Sequence, residues 1–274
     1  MRRVGFNLLL AVCTIWLMSG VAWAQASGSF SYNDQGATEH CVLGTNGSIT
    51  GGYICQNNCT TTGTSCTSDA DCGPSGSLCD PNTNECVTCT SNSQSGTCGG
   101  SFAAGIKGNG GNGNIFVIEP SAVIGLLTDV SVNKITQSSS ALAGVDFTVT
   151  ATDAAGNAVS PTPDFAVTYD SRYIQISSNL FNALTNSCVG TATAGAGCYF
   201  SFSESTVSAH SFQWLLPEDG TSGTYTVTAS WSPSLGNSGI SQALTCVGPV
   251  NFTIQQNKVY HFNKVNAGMT TVTK

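Results

Sequence analysis

Thirteen cysteines stand in this 274-residue chain, and nine fall within one stretch: Cys41, Cys55, Cys59, Cys66, Cys72, Cys79, Cys86, Cys89 and Cys98. Thiols at this density can hold zinc, run a redox cycle or form disulfides. Cys86-Val87-Thr88-Cys89 is a C-x2-C, but a zinc ribbon needs a second such pair, and the chain has none. His40 is the histidine nearest to the cluster. A thioredoxin-like pair would sit in a βαβ pattern, which is missing around Cys86. Disulfides remain. Between the cysteines run Gly, Ser, Thr, Asn, Asp and Pro, with few large apolar residues. Such a segment cannot bury enough apolar surface to offset the entropy of ordering its backbone. Bridges contributing about 2–4 kcal/mol each supply the difference, and they form in oxidising compartments.

Three further cysteines lie downstream at Cys188, Cys198 and Cys246. Cys188 and Cys198 are close enough in sequence to pair as a loop staple. Nine is odd, so the simplest count gives four bridges inside the first region and one from Cys246 back to it. Two free thiols, or a bridge to another chain, are the alternatives.

Acidic residues in the same stretch raise the question of calcium. Asp80-Pro81-Asn82-Thr83-Asn84-Glu85 starts like a calcium loop, but Glu85 stands where glycine is needed and no glutamate closes the loop at the twelfth position. The run reads as a turn. Asp69 and Asp71 read as turn caps. No metal and no cofactor are therefore expected, with calcium as the alternative.

From Cys66 to Cys89 the chain resembles the small Cys-rich repeats of secreted proteins, similar to the Dickkopf-type cysteine region. The likeness rests on Ser68-Asp69-Ala70-Asp71-Cys72-Gly73-Pro74, Cys79 and Cys86-Val87-Thr88-Cys89. It implies a stapled extracellular module and carries no signalling role.

Delivery to an oxidising compartment is legible at the N-terminus. Met1-Arg2-Arg3 precedes an apolar run from Val4 to Val21, then Ala22-Trp23-Ala24. This pattern predicts a signal peptide over residues 1–24. Beyond it there is no second long apolar run, so no membrane partner is expected. Without Arg2 and Arg3, six basic residues face fifteen acidic ones, a net charge of −9. No basic stripe exists, which argues against nucleic acid as a partner.

Residues 25–40 read as an N-terminal extension, 41–98 as the disulfide-rich module and 99–113 as a glycine-rich linker. Gly108-Asn109-Gly110-Gly111-Asn112-Gly113 matches G-x-G-x-x-G, but no strand-then-helix context surrounds it. Period-two alternation then fills 114–256. Val145, Phe147, Val149 and Ala151 share a strand face, as do Phe165, Val167 and Tyr169. The same holds for Cys198, Phe200 and Phe202, for His210, Phe212, Trp214 and Leu216, for Tyr225, Val227, Ala229 and Trp231, and for Val250, Phe252 and Ile254. Turns are predicted at Ala155-Gly156-Asn157, Pro161–Pro163, Pro217–Gly220 and Ser232-Pro233. One short helix is predicted over Asn179–Asn186. Residues 257–274 read as a polar tail.

Ala143-Gly144-Val145-Asp146-Phe147 through Asp153-Ala154-Ala155-Gly156-Asn157, and Gly223-Thr224-Tyr225-Thr226-Val227-Thr228-Ala229, resemble bacterial Ig-like domains. The fold expected is mainly β: a small disulfide-rich loop module followed by an Ig-like antiparallel β-sandwich.

No catalytic motif is found. His40, His210 and His261 lie far apart, Glu218-Asp219 is flanked by Pro217 and Gly220 as in a turn, and Glu204 has no evident partner. Trp214 and Trp231 occupy apolar strand faces and read as core. A non-enzymatic secreted or cell-surface structural or adhesion protein is expected, self-assembling through terminal strands. Its expected partners are other extracellular or surface proteins, including copies of itself. The alternatives are a secreted glycan- or protein-binding module, and an accessory domain of an extracellular enzyme.

Overall fold

A computed structural model describes residues 29–34, 40–72, 77–90, 98–110, 113–133, 136, 138–185 and 199–258. The predicted signal peptide, the tail beyond Lys258 and the Cys188–Cys198 pair lie outside them. The protein is mainly β. In chain order its N-terminal part forms β1 (Phe30–Asp34), β2 (Val42–Leu43), β3 (Ile49–Thr50), β4 (Tyr53–Gln56), β5 (Asn58–Ser65), β6 (Leu78–Asp80) and β7 (Glu85–Thr90). The remainder forms β8 (Gly100–Asn109), β9 (Asn114–Asn133), β10 (Ser139–Thr152), β11 (Ala158–Val159), β12 (Val167–Ile176), α1 (Ser178–Thr185), β13 (Tyr199–Ser211), β14 (Trp214–Pro217), β15 (Ser222–Ser238) and β16 (Ile240–Lys258).

Two antiparallel sheets make the sandwich. One is centred on β9 and β16, with β13 and β14 beyond β9 and with β1 and β4 along the far edge of β16. The other is centred on β10 and β15, with β8 beside β15 and with β11 and β12 beside β10. Alternation sends one set of side chains from each sheet into a shared core. Phe116, Ile118, Ile124, Leu126 and Val130 come from β9, Phe252 and Ile254 from β16, Val145 and Phe147 from β10, and Tyr225 and Val227 from β15. Trp214, Tyr225, Phe116, Phe147 and Phe252 are its largest fully buried members. Burying one large apolar side chain contributes about 1.5–3 kcal/mol, so this set dominates the stability of the sandwich.

The opposite face of β9 and β16 is apolar too. Leu127, Leu244 and Cys246 pack there with Cys41 and Ile49, and Ile240 packs with Leu78 and Val87. The β2–β3 hairpin and the β5-β7-β6 sheet therefore form a third layer. A strand covered on both faces reads as a near-continuous apolar run, and residues 240–248 are buried without a break.

Several expectations change. Residues 99–113 were expected to be a linker, yet Gly100–Asn109 is a strand in register with Trp231–Ser222. Its glycines mark close approaches rather than flexibility. A Cβ on Gly100 would stand 2.5 Å from Nε1 of Trp231, and one on Gly108 would stand 2.8 Å from the Tyr225 ring. Ser232-Pro233 is not a turn, because β15 runs through it in unbroken register with Asp146 and Val145 of β10; the irregularity here lies on the other side of β10, where Tyr169 of β12 is the extra residue between the partners of Val145 and Asp146. Phe165 lies outside β12 and is exposed, so it does not join Tyr169 in the core. His210–Leu216 is two strands, broken at Phe212-Gln213, where Phe212 turns outward.

Candidate functional site at the seam between module and sandwich

The module is held by covalent bonds and by main-chain pairing. Cys41 is bonded to Cys246, 205 residues away. Cys55 is bonded to Cys98, joining β4 to the entry of β8. Beside these bridges β4 pairs with Leu244–Val247 of β16, and the Cys41 amide donates to the Gly248 carbonyl at 2.9 Å. The chain turns between β3 and β4 at Gly51 and Gly52, both with positive φ. A Cβ on Gly52 would come within 2.8 Å of both sulfurs of the Cys41–Cys246 bridge.

Within the module three more bridges replace a core: Cys59–Cys89, Cys66–Cys79 and Cys72–Cys86. The sulfurs of Cys66, Cys72 and Cys86 lie within 4.8 Å of one another. Each is already bonded, so they are adjacent disulfides and not a thiolate ligand set. The 3-10 turn Asp69–Cys72 hangs between these bridges. Asp71 caps it from the solvent side. Its carboxylate accepts the Thr67 amide at 2.8 Å, the Thr67 hydroxyl at 2.9 Å and the Ser68 amide at 3.0 Å, which holds its pKa below the usual carboxylate value. Asp80 likewise fixes its turn by accepting the Asn82 amide at 2.9 Å.

Asp69 points the other way, into the protein. Its Oδ1 accepts the Cys79 amide at 2.7 Å, and burial raises its pKa against the pull of that bond and of the Ser201 hydroxyl. Beneath it, on the module-covered face of the sheet, Asp129 of β9 stands directly opposite Gln242 of β16. Asp129 is buried, and burial first, then the Asp69 charge, drive its pKa well above the ordinary value. Asp80 adds to that repulsion. Asp129 Oδ1 and both side-chain amide atoms of Gln242 are buried without a hydrogen-bond partner. The charges of Asp69 and Asp80 are thus felt at buried Asp129, which stands beside an unsatisfied amide.

A second polar group lines the opposite seam, where the edges of β12 and β13 meet. The Ser208 hydroxyl lies 2.6 Å from His210 Nε2, and Asp170 Oδ2 lies 3.6 Å from that same nitrogen. A serine nucleophile needs a base whose other ring nitrogen is held by the acid. Both partners crowd one nitrogen, so this trio is not such a relay. Arg172 donates to the Thr206 hydroxyl at 2.9 Å and lies 3.7 Å from Glu204, which gives Glu204 its partner.

Of the twelve candidate cysteines, ten are bridged: Cys41, Cys55, Cys59, Cys66, Cys72, Cys79, Cys86, Cys89, Cys98 and Cys246. Cys188 and Cys198 lie outside the described residues. Glu218 is buried, accepting from Gln256 and Asn114, while Asp219 caps its turn. Trp214 and Trp231 are core residues. Asp129 and Gln242 were not among the candidates. The available signal was a lone acid inside the apolar run Ile124–Val132. No protein-family model matches this chain, and no curated protein matches it. Among the described residues no helix is long and apolar enough to cross a membrane.

Proposed function

We propose that the protein is a non-catalytic structural or adhesion component of the cell exterior. The observation that carries this reading is the Cys41–Cys246 bridge, which clamps the cysteine-rich module onto the outer face of the sandwich. With Cys55–Cys98 it makes module and sandwich one covalently closed body. Bridges closing long loops restrict the unfolded chain most, and such a set is characteristic of oxidising surroundings. Such a body suits resistance to unfolding, proteolysis and pulling better than it suits turnover. Assembly runs through β1, a strand already held by edge pairing to β16.

Fractionation of native material tests this. The protein is expected in the cell-surface or matrix fraction, in disulfide-intact form and partly as multimers. Recovery as a reduced cytosolic monomer would overturn the reading. The second reading, a binding module for a glycan or protein, is favoured by the exposed Tyr173, Phe202 and Phe212 that flank the β12–β13 seam. A glycan array on the purified protein separates the two.

A further inference from the structure

We propose that β13 is a dimerisation edge, which pairs antiparallel with β13 of a second copy about a two-fold axis at Val207. The inference does not rest on the adhesive reading. β9 pairs with one side of β13 along the whole of Tyr199–Ser211, without a register shift. Among the described residues no strand pairs with its other side. Free strand edges are ordinarily blunted by lysine, proline, a bulge or shortness. None of these protects β13. It carries a different device, charge on the inward face. Thr206 and His210 stand opposite Leu126 and Ala122, which face the core, and by alternation Glu204 shares that face. An inward charge rejects a strand that would leave it unpaired.

The residues around Val207 lift that penalty for one partner, the same strand running the other way. Phe202-Ser203-Glu204-Ser205-Thr206-Val207-Ser208-Ala209-His210-Ser211-Phe212 has the same pattern of residue types from either end, with a carboxylate answered by an imidazole. Antiparallel pairing centred on Val207 sets Glu204 opposite His210 of the second copy, Thr206 opposite Ser208, Ser205 opposite Ala209 and Ser203 opposite Ser211. The two-fold axis makes each of these contacts twice. Polar partners on one face and small residues on the other are pairs that a sheet favours. Phe202 and Phe212, both exposed, then approach each other at the ends, Phe212 standing just past the strand. Centring the pair on Thr206 or Ser208 instead sets Glu204 opposite Ser208 or Phe212, and the charge pairing is lost. Within one copy Arg172 lies 3.7 Å from Glu204 and Asp170 lies 3.6 Å from His210, yet the Glu204 side chain stays 47 % exposed. On the module side β2 packs beside β13 and leaves Val42 and Leu43 exposed, apolar surface that the second copy would cover. The pairing closes on two copies, so multimers larger than the dimer still come from β1.

The test is sedimentation equilibrium on the disulfide-intact full chain. Wild type should pass from monomer to dimer between about 1 and 100 μM, the weak end of specific association. Glu204→Lys sets a cation against His210 of the second copy, and His210→Glu sets two carboxylates face to face. Each should weaken the dimer by about tenfold or more. Mixed together, the two variants should pair with near wild-type affinity. The introduced lysine then faces the introduced glutamate, and one native Glu204–His210 pair is kept. Ala209→Lys, at an exposed position, places a lysine in the edge and should abolish the dimer. Thermal midpoints report whether each variant folds, and Ala209→Lys decides alone if the charge variants do not. Deleting residues 25–34 should keep the dimer and remove only larger multimers, which separates this edge from β1 exchange. A wild type still monomeric at about 200 μM would overturn the proposal. So would a dimer unchanged in Ala209→Lys, a mixture no tighter than either charge variant alone, or a dimer lost with residues 25–34.

Discussion

Gly125 stands opposite Cys246 in the β9–β16 register, and the bridge from Cys41 passes directly over it. A Cβ at residue 125 would lie 3.1 Å from Cγ2 of Ile49 and 3.2 Å from Cβ of Cys246. The missing side chain makes the room through which module and sandwich are joined. Gly125→Val should therefore loosen the seam, and replacing both Cys41 and Cys246 by serine should cost about 2–5 kcal/mol. Urea unfolding of the oxidised proteins measures both. Stability equal to wild type in the double serine variant would show that the clamp is not structural.

The glycines of β8 give a second prediction. Gly100 lies against the Trp231 indole, whose Nε1 a Cβ would meet at 2.5 Å. That indole sits on rigid backbone within β15, so it cannot swing away cheaply. Gly100→Val should destabilise by about 1–3 kcal/mol through overpacking, whereas a linker glycine would tolerate valine. Thermal unfolding followed by near-UV circular dichroism reads the difference, since Trp231 and the other buried aromatics report on the core.

That strand shows where the sequence was legible and where it was not. Val145–Ala151, Tyr225–Trp231 and Val250–Ile254 alternate plainly, because each has one face in the core and a polar face opposite. In β8 the alternation is present too, with Phe102, Ala104 and Ile106 pointing inward. Gly100, Gly105 and Gly108 hide it, since glycine serves both flexible linkers and close packing. Which of the two applies depends on aromatic rings more than a hundred residues away. The odd cysteine count made a bridge from Cys246 to the first region the simplest reading, with free thiols or a bridge to another chain as alternatives, but could not choose Cys41. The Asp129–Gln242 pair was illegible for the same reason, because its two members meet only through β9–β16 register.

Tyr169 gives a third prediction. Its hydroxyl donates to the Pro120 carbonyl at 2.6 Å, and its ring stacks on Phe147 with centroids 4.1 Å apart. Tyr169→Phe keeps the stack and leaves a buried carbonyl without its donor. The expected loss is about 1–3 kcal/mol in chemical denaturation. Tyr169→Leu should cost more, since it also removes the stack.

Asp219 sets a pH dependence. The Thr221 hydroxyl, then Tyr225 and the Thr221 amide, donate to its carboxylate and hold its pKa at about 2. The folded value lies below the ordinary 3.8. The stabilisation is therefore fully present above about pH 4 and is lost as pH falls through about 2. Asp219→Asn should lower the thermal midpoint at pH 6, and the gap from wild type should shrink as pH falls from about 4 towards 2. A gap between the two proteins that is constant across this window would show that Asp219 does not act through its charge.

The last prediction concerns β1. Five residue pairs join Phe30–Asp34 to Asn251–Gln255, while Phe30 and Tyr32 stay exposed. Main-chain pairing supplies most of the attachment, together with the Asn33 side chain, which donates to the Ala103 carbonyl at 2.9 Å. A strand held this way can leave without opening the core, and the edge it leaves on β16 accepts an identical strand from another copy. Deleting residues 25–34 should keep the fold, with a small fall in thermal midpoint, and should abolish multimers. A synthetic peptide covering Ser29–Asp34 should bind the truncated protein and cap its edge. Multimers that persist at full yield after the deletion, measured by sedimentation velocity, would rule out strand exchange as the mode of assembly.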